Sequence, residues 1–300
     1  MGLQAILNSK PMTKFVLRIG HYLPPRAGYS LARIIGTYLG KRTYLTPVKA
    51  VRANQWVVSG GQATAAELNH LAIETYRTAG RCIYDFYHHM NDAQAMLKLV
   101  EFSPEFEKLF QRSVARKEGT LMALCHMASF DLVGRAAALR GMPLFAITAP
   151  EAPGGYKIAN QLRREFNIEA YPASLETVRM AVERLREGGT VVTGVDRPFA
   201  DSNFRPRFFG RPAALPVGHI RLALKFDLPV FAMGGCLKPD GHYELWASEP
   251  IEMERTGDKD QDVVLNAERV LARIEETIRR FRTQWNMTYA VWPDVLPAVP

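Results

Sequence analysis

His126 and Asp131, five positions apart, are a pair whose types and spacing suit proton transfer. Residues 121–125 form a short apolar run between Gly119 and the polar Ser129, which predicts a buried strand. Residues 130–140 predict a helix, with Ser129 at its N-cap and Gly141 just past its end. His126 then stands where a strand ends, and Asp131 in the first turn of the helix that follows. On one continuous helix five residues rotate through roughly 500°, which would separate them; across a strand–turn–helix junction they can converge. The positive end of a helix dipole favours a charged carboxylate at the position of Asp131. Such a carboxylate accepts a hydrogen bond from one imidazole nitrogen, fixes the tautomer, and leaves the other nitrogen to take a proton from a hydroxyl. The same spacing fits a satisfied histidine at a strand end beside an Asp that merely favours a helix start, and both readings stand at this point.

A second chemistry shares the site. Cys125 adjoins His126 and could act as a thiol nucleophile, which would make the protein a thioesterase or other thiol hydrolase. Neighbouring strand residues point to opposite faces, so Cys125 is expected to be buried away from the imidazole. His88, His89 and Asp92 match no common ligand spacing, and no metal is expected. Cys82, Cys125 and Cys236 form no C-x-x-C pair and no even framework, which points to a reducing setting.

The elements around the pair alternate. Strands are expected at residues 143–148, 168–171, 190–195, 229–234 and 243–248, with helices at 155–166, 175–187, 218–226 and 260–281. Long helices at 64–91 and 102–116 precede the strand that ends at His126. This order predicts an α/β fold, a largely parallel (mixed) sheet flanked by helices, whose ligands bind beyond the carboxyl ends of the strands. Asp196 follows one such end, as His126 does, so the two are expected to face one crevice.

The net charge of +8 is concentrated at the N-terminus. Residues 1–66 hold nine basic residues and no acid, so the remainder carries −1. Phe15, Ile19, Tyr22 and Leu23 are spaced as one helical face, Leu31, Ile34, Ile35, Tyr38 and Leu39 as another, and Pro24-Pro25 parts them. Charges interrupt every window of about 20 residues, which excludes a spanning helix, and no apolar core with a small-residue cleavage site marks a secretory signal. Two basic amphipathic helices read as lying among lipid headgroups; an ordinary helix pair packed on the protein's own core is the other reading. The aromatics fall on the apolar stripes instead of alternating with cations, so nucleic acid is not an expected partner. The expected division is a membrane-docking segment over residues 1–60 and one globular unit over 61–300.

The His-x4-Asp stretch and its surroundings resemble the acyltransferases that add fatty acyl chains to membrane lipids, in particular the bacterial branch that acylates glycolipids: the lipid A late acyltransferases and the phosphatidylinositol mannoside acyltransferases. The resemblance extends over almost the whole chain, including the run from Phe208-Phe209-Gly210 to Gly218 and the ending from Gln284-Trp285 to Trp292-Pro293. Where that branch has Gly-Asn-Trp, this chain has Ala128-Ser129-Phe130, and the Arg usual after the preceding strand is absent from Thr148-Ala149-Pro150-Glu151. The resemblance implies acyl transfer to a hydroxyl of a membrane glycolipid or lysophospholipid, with His126 and Asp131 catalytic. It further implies that Asp196 orients the acceptor hydroxyl or the histidine, that Arg197 meets an acidic headgroup, and that Arg163 contacts phosphate. Phe208 and Phe209 are candidate walls for an alkyl chain, or core packing under a long loop. Acyl-CoA or acyl carrier protein would be the co-substrate, with no further cofactor, and the protein would sit peripherally on the cytoplasmic face of the inner membrane. A non-catalytic lipid-binding protein on the same fold is the remaining alternative.

Overall fold

The computed structural model describes residues 20, 22–150, 155–199 and 202–300. The first amphipathic stretch, with Phe15 and Ile19, falls outside them, apart from Tyr22 and Leu23.

The second stretch forms α1, Pro25–Gly40, opened by Pro25 in its first turn. α2 spans Thr46–Val58 and α3 spans Ala65–His89, the latter closed at its start by a capping box between Thr64 and Glu67. α1 lies on α3 through its small residues Gly28, Ala32, Gly36 and Gly40. A Cβ on Gly36 would come 2.7 Å from Cα of Arg77, and one on Gly40 would come 2.6 Å from Cα of Ile73, so the two backbones are nearly in contact. The bulky stripe therefore faces outward, with Ile34 63% and Tyr38 57% exposed. The region expected to be one docking segment is thus of two kinds, because α2 belongs to the body. It buries Val48, Val51 and Val57, and Asn54 donates to the carbonyls of Met287 and Tyr289 while accepting from the N–H of Val291.

A short helix, α4 (Ala93–Leu99), and strand β1 (Val100–Phe102) follow; neither is legible from hydrophobic periodicity. The helix expected from residue 102 starts instead at Pro104 as α5, Pro104–Ala115, since Ser103 caps it by accepting from Phe106 N–H. Then come β2 (Thr120–Leu124), α6 (Phe130–Leu139), β3 (Leu144–Thr148), α7 (Gly155–Glu165), β4 (Ile168–Pro172), α8 (Leu175–Arg186) and β5 (Thr190–Gly194). A tight hairpin of β6 (Arg207–Phe208) and β7 (Arg211–Pro212) leads to α9 (Gly218–Phe226), β8 (Val230–Leu237), β9 (Tyr243–Ala247) and the long α10 (Lys259–Arg280). The seven-stranded sheet runs β1-β9-β8-β2-β5-β3-β4. β8, β2, β5, β3 and β4 are mutually parallel, and β9 joins antiparallel to β8. Both faces of the parallel strands are covered, as such strands require: one by Leu121, Ala123, Val191 and the residues of α9 and α10, the other by Met122, Val192, Phe231 and the residues of α5 and α6.

Candidate active site

β2 and β5 are adjacent and in register, Leu124 opposite Gly194. Two residues beyond that pair, His126 and Asp196 stand opposite each other at the carboxyl ends of the two strands. His126 Nδ1 lies 2.6 Å from Asp196 Oδ1, and the backbone N–H of His126 donates to Oδ2 at 2.9 Å. The indole N–H of Trp285 also donates to Oδ2, at 2.8 Å. Asp196 is fully buried. Burial is the largest influence on its carboxyl and would raise it, but the imidazole's charge and hydrogen bond, the His126 N–H and the Trp285 N–H together hold it below the ordinary carboxylate range. The His126 side chain remains 23% exposed, and its Nε2 has no hydrogen-bond partner among the described residues.

This changes the role expected of Asp131. The imidazole is held by Asp196, while both oxygens of Asp131 receive Arg163, Nε at 2.7 Å and Nη2 at 3.1 Å. The reason is geometric. Strand register delivers Asp196 to His126, whereas the first turn of α6 turns Asp131 toward α7. Arg163 is fixed in turn by Asn160, whose amide donates to Thr148. Ser129 sits at the N-cap position, but its hydroxyl does not cap the helix and donates to the Cys82 carbonyl.

The turn carrying His126 is pinned from the C-terminus. Met127 bridges Trp285, Ala128 N–H donates to the Gln284 carbonyl, and Asn286 N–H donates to the His126 carbonyl. Gln284 is itself tied to both backbone groups of Leu237. Ala128 adopts φ +43°, the left-handed region. Below the imidazole lies Gly194, where a Cβ would come 2.6 Å from Cε1 of His126. Phe130 meets the ring edge-on at 5.3 Å. Beside the turn, a cavity of about 110 Å³ opens toward α3, walled by Ile83, Phe86, Tyr87, Phe130, Leu162 and Arg163.

The other candidates fall elsewhere. Cys125 is buried on the opposite face, its sulfur in the space that a Cβ on Gly234 would occupy. Burial, then the nearby Asp196 charge, pushes its thiol well above the ordinary value. Phe208 is fully buried, stacked on Trp292 and edge-on to Trp285. Phe209 lies half-buried under Arg279. Arg197 stacks on the ring of Tyr289 at 3.9 Å. Glu101, Asp240 and His242 bring ligand atoms within 4.8 Å of one another, but Lys238 Nζ already bonds both oxygens of Glu101.

Fold and site define an α/β protein with a held imidazole beyond the carboxyl ends of a largely parallel sheet. Comparison with known families takes this further: residues 12–293 match the bacterial lipid A biosynthesis acyltransferases, and the chain belongs to that family. It is therefore an enzyme that transfers an acyl group to a lipid acceptor. Among curated proteins no match is found.

Proposed function

We propose that the protein transfers a fatty acyl chain from a thioester donor, acyl-CoA or acyl carrier protein, to a hydroxyl of a membrane glycolipid or lysophospholipid, with His126 as general base. The observation that carries this is an imidazole fixed through Nδ1 by a buried carboxylate, with Nε2 unpartnered and reachable from solvent. Asp196 accepts the Nδ1 proton's hydrogen bond, so the lone pair sits on Nε2. Nε2 takes the acceptor hydroxyl proton as the oxygen bonds to the thioester carbonyl carbon. The tetrahedral intermediate collapses with breakage of the C–S bond, and the leaving thiolate takes the proton back from the imidazolium. Donors for the transient oxyanion come from the start of α6, at the backbone N–H groups of residues 129–131, since that of Ala128 is spent on Gln284. Asp131 serves this reading indirectly, by anchoring the start of α6 to Arg163 on α7.

In this proposal the enzyme works as a peripheral protein on the cytoplasmic face of the inner membrane. No helix among the described residues is long and apolar enough to cross a membrane. The outward stripe of Leu31, Ile34, Ile35 and Tyr38, beside Arg33 and Lys41, supports docking in the headgroup layer.

The test is transfer of labelled acyl groups, from acyl-CoA and from acyl carrier protein, into a lipid extract. His126→Ala is expected to abolish incorporation, and Cys125→Ser to leave it within about threefold of the unmodified enzyme, a small fraction of what deleting a nucleophile costs. The opposite pair of results would replace the base mechanism with a thiol one.

A further inference from the structure

Building on the proposed base role of His126, we infer that Trp285 is a positioning residue for the reaction: its indole N–H holds the Asp196 carboxylate in the orientation that sets the His126 imidazole. Nothing in the patterning of the sequence marks this residue, which lies 89 positions from Asp196.

Asp196 Oδ1 is taken by the imidazole and Oδ2 by two donors, the His126 backbone N–H at 2.9 Å and Trp285 Nε1 at 2.8 Å. Without the indole both carboxylate oxygens would be held by His126 alone, so the carboxylate and the imidazole could shift together. The indole ties the pair to a fixed body, because it is itself immobile: fully buried, edge-on to Phe208 at 5.9 Å and tilted on Phe209 at 6.2 Å. Its backbone is paired with Met127, in the turn that carries His126. One residue thus contacts the base's turn through its main chain and the base's carboxylate through its side chain. Among the described residues the titratable groups whose charge bears on Asp196 or feels it are His126 and the buried Cys125 thiol, which burial holds neutral. From the C-terminal segment the facing polar group is the Trp285 N–H, and the β6–β7 hairpin presents Phe208 and Phe209 to that indole. Arg197, next in sequence, stacks on Tyr289.

Removing the N–H has a signed consequence. A carboxylate with one donor fewer binds a proton more readily, and its less-compensated charge also favours the imidazolium. The dyad as a unit then keeps its proton to higher pH. Trp285→Phe is expected to retain the fold and to lower kcat by about tenfold or more, the scale of one hydrogen bond to a charged group. It is also expected to move the acid limb of the pH–rate profile upward by on the order of half a pH unit. Gln284→Ala, which loosens the same segment but keeps the indole, is expected to lower the melting temperature without moving that limb. A rate loss in Trp285→Phe with an unmoved acid limb would make the residue merely structural and overturn the inference. A second measurement does not depend on the variant folding: in the unmodified enzyme the indole 15N–1H resonance of Trp285 should titrate with the acid limb, and a resonance flat through that range overturns the inference equally. His126→Ala separates this from the underlying reading. If that variant is active, the base assignment fails; if it is inactive while both Trp285 readouts stay flat, only the positioning role fails.

Discussion

Replacing Gly194 with Ala tests whether the imidazole works where the structure holds it. The added Cβ would stand 2.6 Å from Cε1 and 3.3 Å from Nε2 of His126, against about 3.5–4.0 Å for an unstrained carbon contact. The ring must therefore give way by about 1 Å, and it is clamped at the far side by the 2.6 Å bond to Asp196. Either that bond lengthens or Nε2 leaves its line of attack. A displacement of this size costs on the order of 100-fold in rate, and loss of a hydrogen bond to a charged group about 1.5–3 kcal/mol. The backbone is no obstacle, since Gly194 is in ordinary strand conformation within β5. Overpacking of about 1–3 kcal/mol is partly offset by the reduced freedom of the unfolded chain, about 0.4–1 kcal/mol, so the protein should still fold. The assay is acyl transfer to the lipid acceptor at saturating donor, alongside thermal unfolding. A Gly194→Ala enzyme that is folded and within about threefold of the parent rate would show that His126 does not act from this position.

Substitutions at two further positions test separate features of the structure. Because Ala128 sits at φ +43°, Ala128→Gly should change stability by less than about 1 kcal/mol, relief of strain offsetting greater chain freedom; Ala128→Val should cost about 2 kcal/mol or more, read by chemical denaturation, and equal effects would remove the strain argument. His219 is buried with neither ring nitrogen partnered, and burial pushes its pKa down to about 3 from 6.5, so below pH 6.5 the unfolded chain binds a proton that the folded one refuses. Stability should therefore fall by about 2 kcal/mol between pH 6.5 and 5, and His219→Leu should flatten that slope in denaturation curves; parallel slopes in the two proteins would sink the account.

The parallel core was legible because buried strands flanked by glycines and polar turns leave a clear pattern, and β2, α6 and α9 lie within a residue of where periodicity puts them. Orientation of the imidazole was legible only in part: strand ends put Asp196 and His126 in one crevice, and the family resemblance offered Asp196 for the histidine or for the acceptor hydroxyl. Spacing along the chain offered Asp131, and only the pairing of β2 with β5 in the order β8-β2-β5-β3 brings Asp196 opposite His126. Strand order is set by how helices cover both faces, which no local window contains. Gly194 was invisible for the same reason, since its lack of a side chain matters only once the imidazole lies over it. Phe208 was ambiguous because an apolar residue in a long loop reads alike whether it lines a channel or fills a core. The rings that pack against it, Trp285 and Trp292, are distant in sequence.

The proposed base is also mechanically continuous with the N-terminal region. Asn54 and Gln55 on α2 hold the backbone of Met287, Tyr289, Val291 and Arg282. The segment so held pairs with the turn of His126 and bonds Asp196 through Trp285. α2 follows α1 across the short turn at residues 41–45, and both pack on α3, whose Ile83, Phe86 and Tyr87 wall the cavity beside the turn. α2 and the Asp196 carboxylate beside His126 are thus joined through buried and part-buried hydrogen bonds. Such bonds are costly to break, because each leaves an unsatisfied polar group behind. An acceptor reaching the site would then meet an imidazole whose position is tied to α2, the helix that follows the exposed stripe of α1.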